Sequence, residues 1–143
     1  MTGLVLDASV TMTWLLADAS PGARGYAAMV LEAMKQPETL AEVPVTWSLE
    51  VANVLARAEA RSLVTEAHSE AFLVMLSSIP IRADHATFGQ ALADTLHLAR
   101  RYGLSSYDAS YLELALRCGR PLATLDVELE TAARKAGVAR FAA

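Results

Sequence analysis

Two hydrophobic rhythms share this chain. Gly3-Leu4-Val5-Leu6 is an unbroken apolar run that stops at an acid, Asp7. A short run of this kind predicts a strand buried on both faces. Residues 8–17 then predict a helix. Ser20-Pro21 opens a second helix that runs to about residue 35, with proline in the first turn, where its missing N–H is tolerated. Gln36-Pro37 stops it, and residues 40–45 predict a second strand. Trp47, Val51, Val54, Leu55 and Ala58 recur at helical spacing, which makes residues 46–61 an amphipathic helix. Residues 65–77 predict another, with Thr65 as its cap. A weaker strand follows at 79–82, then a helix at 86–102 closed by Gly103. Ser105 or Ser106 caps a helix running to Cys118, with Gly119 as its stop. Residues 121–125 predict a buried strand, 127–135 a short helix ended by Gly137, and 138–141 a last strand.

Strands alternating with helices predict an α/β protein whose central, mostly parallel sheet is covered on both faces. In such sheets ligands bind outside the carboxyl ends of the strands. There is no internal repeat, low-complexity stretch or linker, and 143 residues suit one domain, 1–143.

Composition narrows the function. The chain is 54% hydrophobic, yet no apolar run approaches the ~18–20 residues of a membrane span. The start carries neither a basic segment nor a cleavage site of the secretory kind. Cys118 is the single cysteine, so no intramolecular disulfide forms, and a reducing cytoplasm is the expected address, with no membrane partner. The three histidines have no zinc-ligand spacing, and Cys118 has no evident histidine partner. The net charge of −4 argues against a nonspecific nucleic-acid binder, which carries a basic stripe. A phosphate substrate would have to be drawn by something else, and a bound divalent cation is the natural candidate.

Four acids stand out. Asp7 and Asp126 each directly follow a predicted strand, at the rim where ligands bind. Aspartate is also a favoured N-cap, and each of the two could merely cap the helix after it. Glu50 borders the buried stripe of its helix, three residues after Trp47 and four before Val54, with no Lys or Arg one turn away to pair with it. Long side chains can reach water from such an edge, which is the alternative use of this one. Asp108 precedes Leu112 by four, on an inward face, and it also lies in a first turn, where a negative charge suits the helix dipole. Acids at strand ends and on inward helix faces converge on one crevice if the fold is as predicted. Two like charges about 4 Å apart repel by ~4 kcal/mol at an effective dielectric of 20, so such a cluster needs a cation. Oxygen donors without His or Cys favour Mg²⁺ or Mn²⁺. Ser9, two residues after Asp7, could hydrogen-bond a carboxylate or help cap a helix. Thr124, two before Asp126, could orient that acid, touch substrate or simply favour a strand.

These segments resemble the PIN-domain nucleases and, within them, the VapC toxins of bacterial type II toxin–antitoxin pairs. Leu4-Val5-Leu6-Asp7-Ala8-Ser9 is similar to the family's first strand and its Asp-x-Ser. The stretch from Pro44 to Leu55 resembles the second motif, centred on Glu50. Leu104 to Leu112 resembles the third, with Asp108 as the metal-site acid, and Pro121 to Asp126 the fourth, Thr-x-Asp. The resemblance spans essentially the whole chain. It implies an α/β/α sandwich, endoribonuclease activity with Mg²⁺ or Mn²⁺ held by Asp7, Glu50, Asp108 and Asp126, a homodimer, and inhibition by a VapB-type antitoxin. Asp126 matches the family's most variable acid. Glu128 and Glu130, which follow it, are not assigned to the metal. The expected reaction is hydrolysis of an RNA phosphodiester by water.

Three other readings stand beside this one. The chain could process RNA without being a toxin. It could be a non-catalytic acidic binding module, which leaves the inward acids unexplained. An aspartyl phosphotransferase also uses an acid after its first strand, but commonly needs a second aspartate where this chain has Ser9. Arg57, Arg61, Arg100 and Arg101 are candidate basic flanks or ordinary solvated faces. The segment Tyr26 to Leu31 could cover the core or receive an antitoxin helix.

Overall fold

The computed structural model describes residues 2–142. Four strands form one parallel sheet, β1 (Thr2–Leu6), β2 (Thr39–Pro44), β3 (Ile81–Asp84) and β4 (Leu122–Ala123), in the order β3-β2-β1-β4. The helices are α1 (Ala8–Thr13), α2 (Pro21–Met34), α3 (Trp47–Ala60), α4 (Glu66–Ser77), α5 (Thr87–Gln90), α6 (Leu96–Tyr102), α7 (Ser106–Cys118) and α8 (Val127–Lys135). This is the expected three-layer α/β/α sandwich.

Strand parity builds the layers. Val5 and Leu122 face one side and pack with Tyr111, Leu112 and Ala115 of α7 and with Leu129 and Ala132 of α8. Leu4, Leu6, Ala41 and Val43 face the other side, against Val10 of α1 and Ala27, Val30 and Met34 of α2. A third cluster joins Ala8 and Met12 of α1 to Val51 and Leu55 of α3 and Phe72 and Leu76 of α4. Each fully buried Leu or Val contributes about 1.5–3 kcal/mol over leaving it exposed. Trp47, at the start of α3, packs against all three clusters. It thereby fixes the turn that carries Glu50.

The strand order places the crevice. From β1 the chain crosses to β2 and β3 on one side, then returns to lay β4 on the other. The sheet therefore changes winding direction between β1 and β4, and ligand sites of α/β sheets sit at the carboxyl end of such a switch. Asp7 directly follows β1, and its backbone N–H donates to the Ala123 carbonyl at 2.9 Å, which knits the two strand ends together.

Several boundaries differ from the sequence expectation. The first helix ends at Thr13 instead of residue 17. The strand expected at 121–125 is only Leu122–Ala123, because the next backbone donors turn to side chains: Leu125 N–H to Ser9 Oγ (3.0 Å) and Asp126 N–H to Thr124 Oγ1 (3.0 Å). The stretch 138–141 contributes a single bridge, Leu122 to Arg140, instead of a strand. The helix expected at 86–102 is broken: a π-helical turn, Ala91–Thr95, separates α5 from α6, and Ala93 leaves helical geometry (φ −121°, ψ −107°). No Pro or Gly marks that position.

A polar cluster ties α7 to the edge strand. Arg117 donates to Glu113 (Nε to Oε1, 2.6 Å) and to Asp84 at the end of β3 (Nη2 to Oδ2, 2.6 Å). The guanidinium holds the Asp84 carboxyl below its usual range, against the opposing effect of burial. Glu113 is almost fully buried, so Arg117→Met strands its charge. The expected loss is about 2 kcal/mol, below the usual buried-pair cost because water reaches Arg117. A lowered urea midpoint at unchanged slope checks it.

Candidate functional site

Asp7 occupies the N-terminal position of α1 in extended geometry (φ −75°, ψ 144°), yet its side chain makes no capping hydrogen bond. Oδ2 instead accepts two hydroxyls, Ser9 Oγ at 2.6 Å and Thr124 Oγ1 at 2.7 Å. Each hydroxyl oxygen also accepts a backbone N–H of the β4–α8 junction, Leu125 for Ser9 and Asp126 for Thr124. Thr124 therefore orients Asp7 directly and touches Asp126 only through its backbone. Burial pushes the Asp7 carboxyl above its ordinary pKa; the two hydroxyls oppose this, and the charge of Asp126 adds to it.

Asp126 does what a capping aspartate does: Oδ1 accepts the Leu129 N–H at 2.8 Å and closes the first turn of α8. Its carboxylate still lies close enough to act on both Asp7 and Asp108.

Glu50, in the first turn of α3, is half-buried. Its Oε1 accepts the Tyr111 hydroxyl at 2.9 Å. Its pKa is pushed up to about 7, first by burial, then by the charges of Asp7 and Asp108, against the lowering effect of the Tyr111 hydrogen bond. Asp108, in the first turn of α7, is held by the Ser105 cap, whose Oγ accepts the Asp108 N–H at 3.1 Å. Its pKa is raised to about 6 by burial, then by Asp126, Asp7 and Glu128, with the Ser105 hydroxyl beside the carboxyl opposing.

Asp7 and Asp108 thus act on Glu50, and Asp7 and Asp126 act on Asp108, which links the four acids electrostatically. As their side chains are placed, no three His, Cys, Asp or Glu residues among those described form a group that holds a metal ion. The two observations concern different things. Mutual pKa elevation reports the neighbourhood that the backbone elements create, whereas ligation needs oxygens aimed at one point. The donor chemistry suits a hard divalent cation: oxygen donors only, at buried or half-buried positions, with Glu50 and Asp108 raised by neighbouring carboxylates as well as by burial.

One participant was not singled out from sequence, and another was named there but not assigned to the metal. Tyr111 bonds Glu50 across 61 residues, and on an apolar helix face it reads as core. Glu128 adds its charge to Asp108; its place two residues after Asp126 was the available signal. Arg57, Arg61, Arg100 and Arg101 are all exposed. Phe88 and Leu92, on the broken helix, are each 89% exposed.

An α/β/α sandwich with acids at its topological switch is the class that fold and site define. No family model matches the chain, and no curated protein does. Solved structures share the fold. PAE2754 from Pyrobaculum aerophilum superposes with a TM-score of 0.63 at 22% identity, covering 92% of this chain and 84% of that one. VapC20 of Mycobacterium tuberculosis, a toxin that cleaves the sarcin–ricin loop, superposes with a TM-score of 0.65 at 18% identity, covering 90% and 94%. At these identities the likeness is one of fold. Among the described residues no helix is long and apolar enough to cross a membrane.

Proposed function

We propose that the chain is a single PIN-type domain that hydrolyses RNA phosphodiesters with Mg²⁺ or Mn²⁺ as cofactor. The observation that carries this reading is the electrostatic coupling of acids from separate elements near the carboxyl ends of β1 and β4: after burial, the charges of Asp7 and Asp108 raise Glu50, those of Asp126 and Asp7 raise Asp108, and that of Asp126 adds to the elevation of Asp7. Asp7, Glu50, Asp108 and Asp126 would hold the cation. When bound, it supplies positive charge for the scissile phosphate and lowers the pKa of water. Ser9 and Thr124 bind one oxygen of Asp7, and its other oxygen would meet the cation. Asp126 spends one oxygen on α8 and offers the second. Tyr107, exposed and next to Asp108, presents a ring on which an unstacked base can lie.

The fold shared with a sarcin–ricin-loop toxin supports a biological role as the toxin of a VapB-type antitoxin pair, in the cytoplasm. The exposed Phe88 and Leu92 favour a homodimer. An RNA-processing nuclease without a toxic role uses the same chemistry, and a non-catalytic binding module lacks it. The hydrogen bonds that engage Ser9 with Asp7 and Leu125 leave an aspartyl phosphotransferase without the second acid it commonly needs.

Metal removal tests the reading. Purified protein is expected to cleave RNA, to stop with EDTA, and to resume with Mg²⁺ or Mn²⁺. Because water is the attacking group, an RNA with one 2′-deoxy sugar at the scissile nucleotide is still cut. Cleavage that persists in EDTA, or that vanishes with the 2′-deoxy sugar while binding survives, ends this account. Sequencing RNA ends after induction then identifies the target.

A further inference from the structure

Tyr111 is fully buried in the middle of α7, one turn after Asp108. Its hydroxyl is not used within its own helix. It donates to Glu50 Oε1 on α3 at 2.9 Å. This bond joins α7 to α3, and each of these helices carries one of the acids in its first turn. A buried phenol needs a partner, but a backbone carbonyl would satisfy it. Here the partner is a carboxylate oxygen at the edge of the acidic crevice.

We infer that Tyr111 is a positioning residue for the acid cluster: its hydroxyl, on a ring packed in the core, holds one oxygen of Glu50 and so sets where the other points relative to Asp7 and Asp108. The inference rests on the metal-holding role proposed above. A glutamate free of such a hold samples several staggered rotamers, and gripping a cation would then require ordering it first. The tyrosine ring is locked by core packing, so its hydroxyl is a fixed anchor. Removing a group that orients a metal ligand costs about 10–100-fold in metal affinity.

Tyr111→Phe keeps the ring and removes one oxygen. The probe is Mn²⁺ added to the full chain, with free and bound ion followed by electron paramagnetic resonance, and folding by circular dichroism. The expected result is a folded variant that binds Mn²⁺ about 10-fold or more weakly, with an altered bound-ion spectrum. A purely structural role would lower the melting temperature and leave affinity and spectrum unchanged; that outcome overturns the inference while sparing the metal reading. Native protein that binds no Mn²⁺ overturns both. Should the variant not fold, the native chain carries the test with its four tyrosines replaced by 3-fluorotyrosine. The Tyr111 resonance, assigned by changing Tyr26, Tyr102 and Tyr107 to Phe, is expected to shift as Mg²⁺ saturates the site. A resonance that stays in place through saturation overturns the inference.

Discussion

Asp7→Asn lowers RNA cleavage by on the order of 10²–10³-fold while leaving the fold intact. The magnitude follows from two quantities. A correctly held cation supplies several kcal/mol of transition-state stabilisation, and each ~1.4 kcal/mol is a factor of ten in rate. The geometry explains why Asp7 is the position to change. It is buried, and both hydroxyls on its Oδ2 are themselves tied to the β4–α8 junction, so its carboxylate is held by two anchored donors. Asparagine keeps the shape and one acceptor oxygen but removes the charge and introduces an N–H₂. Folding should not suffer: the carboxyl is already penalised by burial and by Asp126, and a neutral amide avoids both costs. The metal-free melting temperature at pH 7 is therefore expected to be unchanged or higher. Turnover within a factor of two of native, measured on a defined RNA at saturating metal, removes Asp7 from the mechanism.

The sequence pattern carried the architecture well where one physical signal dominated. The apolar run ending at Asp7, the prolines at 21 and 37, the stripe from Trp47 to Ala58 and the Gly103 and Gly119 stops each specify an element locally, and the layers follow from their alternation. Legibility failed where side chains competed for backbone. Ser9 and Thr124 capture the N–H groups of Leu125 and Asp126, so a five-residue apolar pattern yields a two-residue strand. The break at Ala93 has no local residue signature at all. The candidate site divides the same way. Strand ends placed Asp7 and Asp126 at the rim, and helical spacing placed Glu50 and Asp108 on inward faces. The capping alternative proves correct for one oxygen of Asp126 and incorrect for Asp7. The Glu50–Tyr111 bond and the Arg117–Asp84 pair join residues 61 and 33 positions apart, and no periodicity within one element encodes such a pairing.

The metal-free protein loses stability as pH rises from about 4 to about 7 and regains it when Mg²⁺ or Mn²⁺ is added at neutral pH. The folded-state pKa values of Glu50, about 7, and Asp108, about 6, lie above their ordinary values of 4.5 and 3.8, and Asp7 is raised as well. Between the unfolded and folded values the native chain binds more protons than the unfolded one, so the free energy of unfolding falls as pH increases. The favourable contribution is complete below the unfolded values, near pH 4, and is gone once pH passes the folded ones, near 7. All three groups are raised first by burial and then by neighbouring carboxylates. A cation among them favours their ionised forms and opposes the loss. Binding to the native state alone contributes about 2.7 kcal/mol at a metal concentration 100 times Kd, or about 8 °C in Tm for a chain of this size. Melts at pH 4.5, 6 and 7, with EDTA and with metal, read both effects. The metal-dependent increment should be largest at pH 7 and shrink toward pH 4.5, where protons compete for the same oxygens. An increment that is absent at pH 7, or equal at all three pH values, would mean that these carboxylates do not bind the ion together.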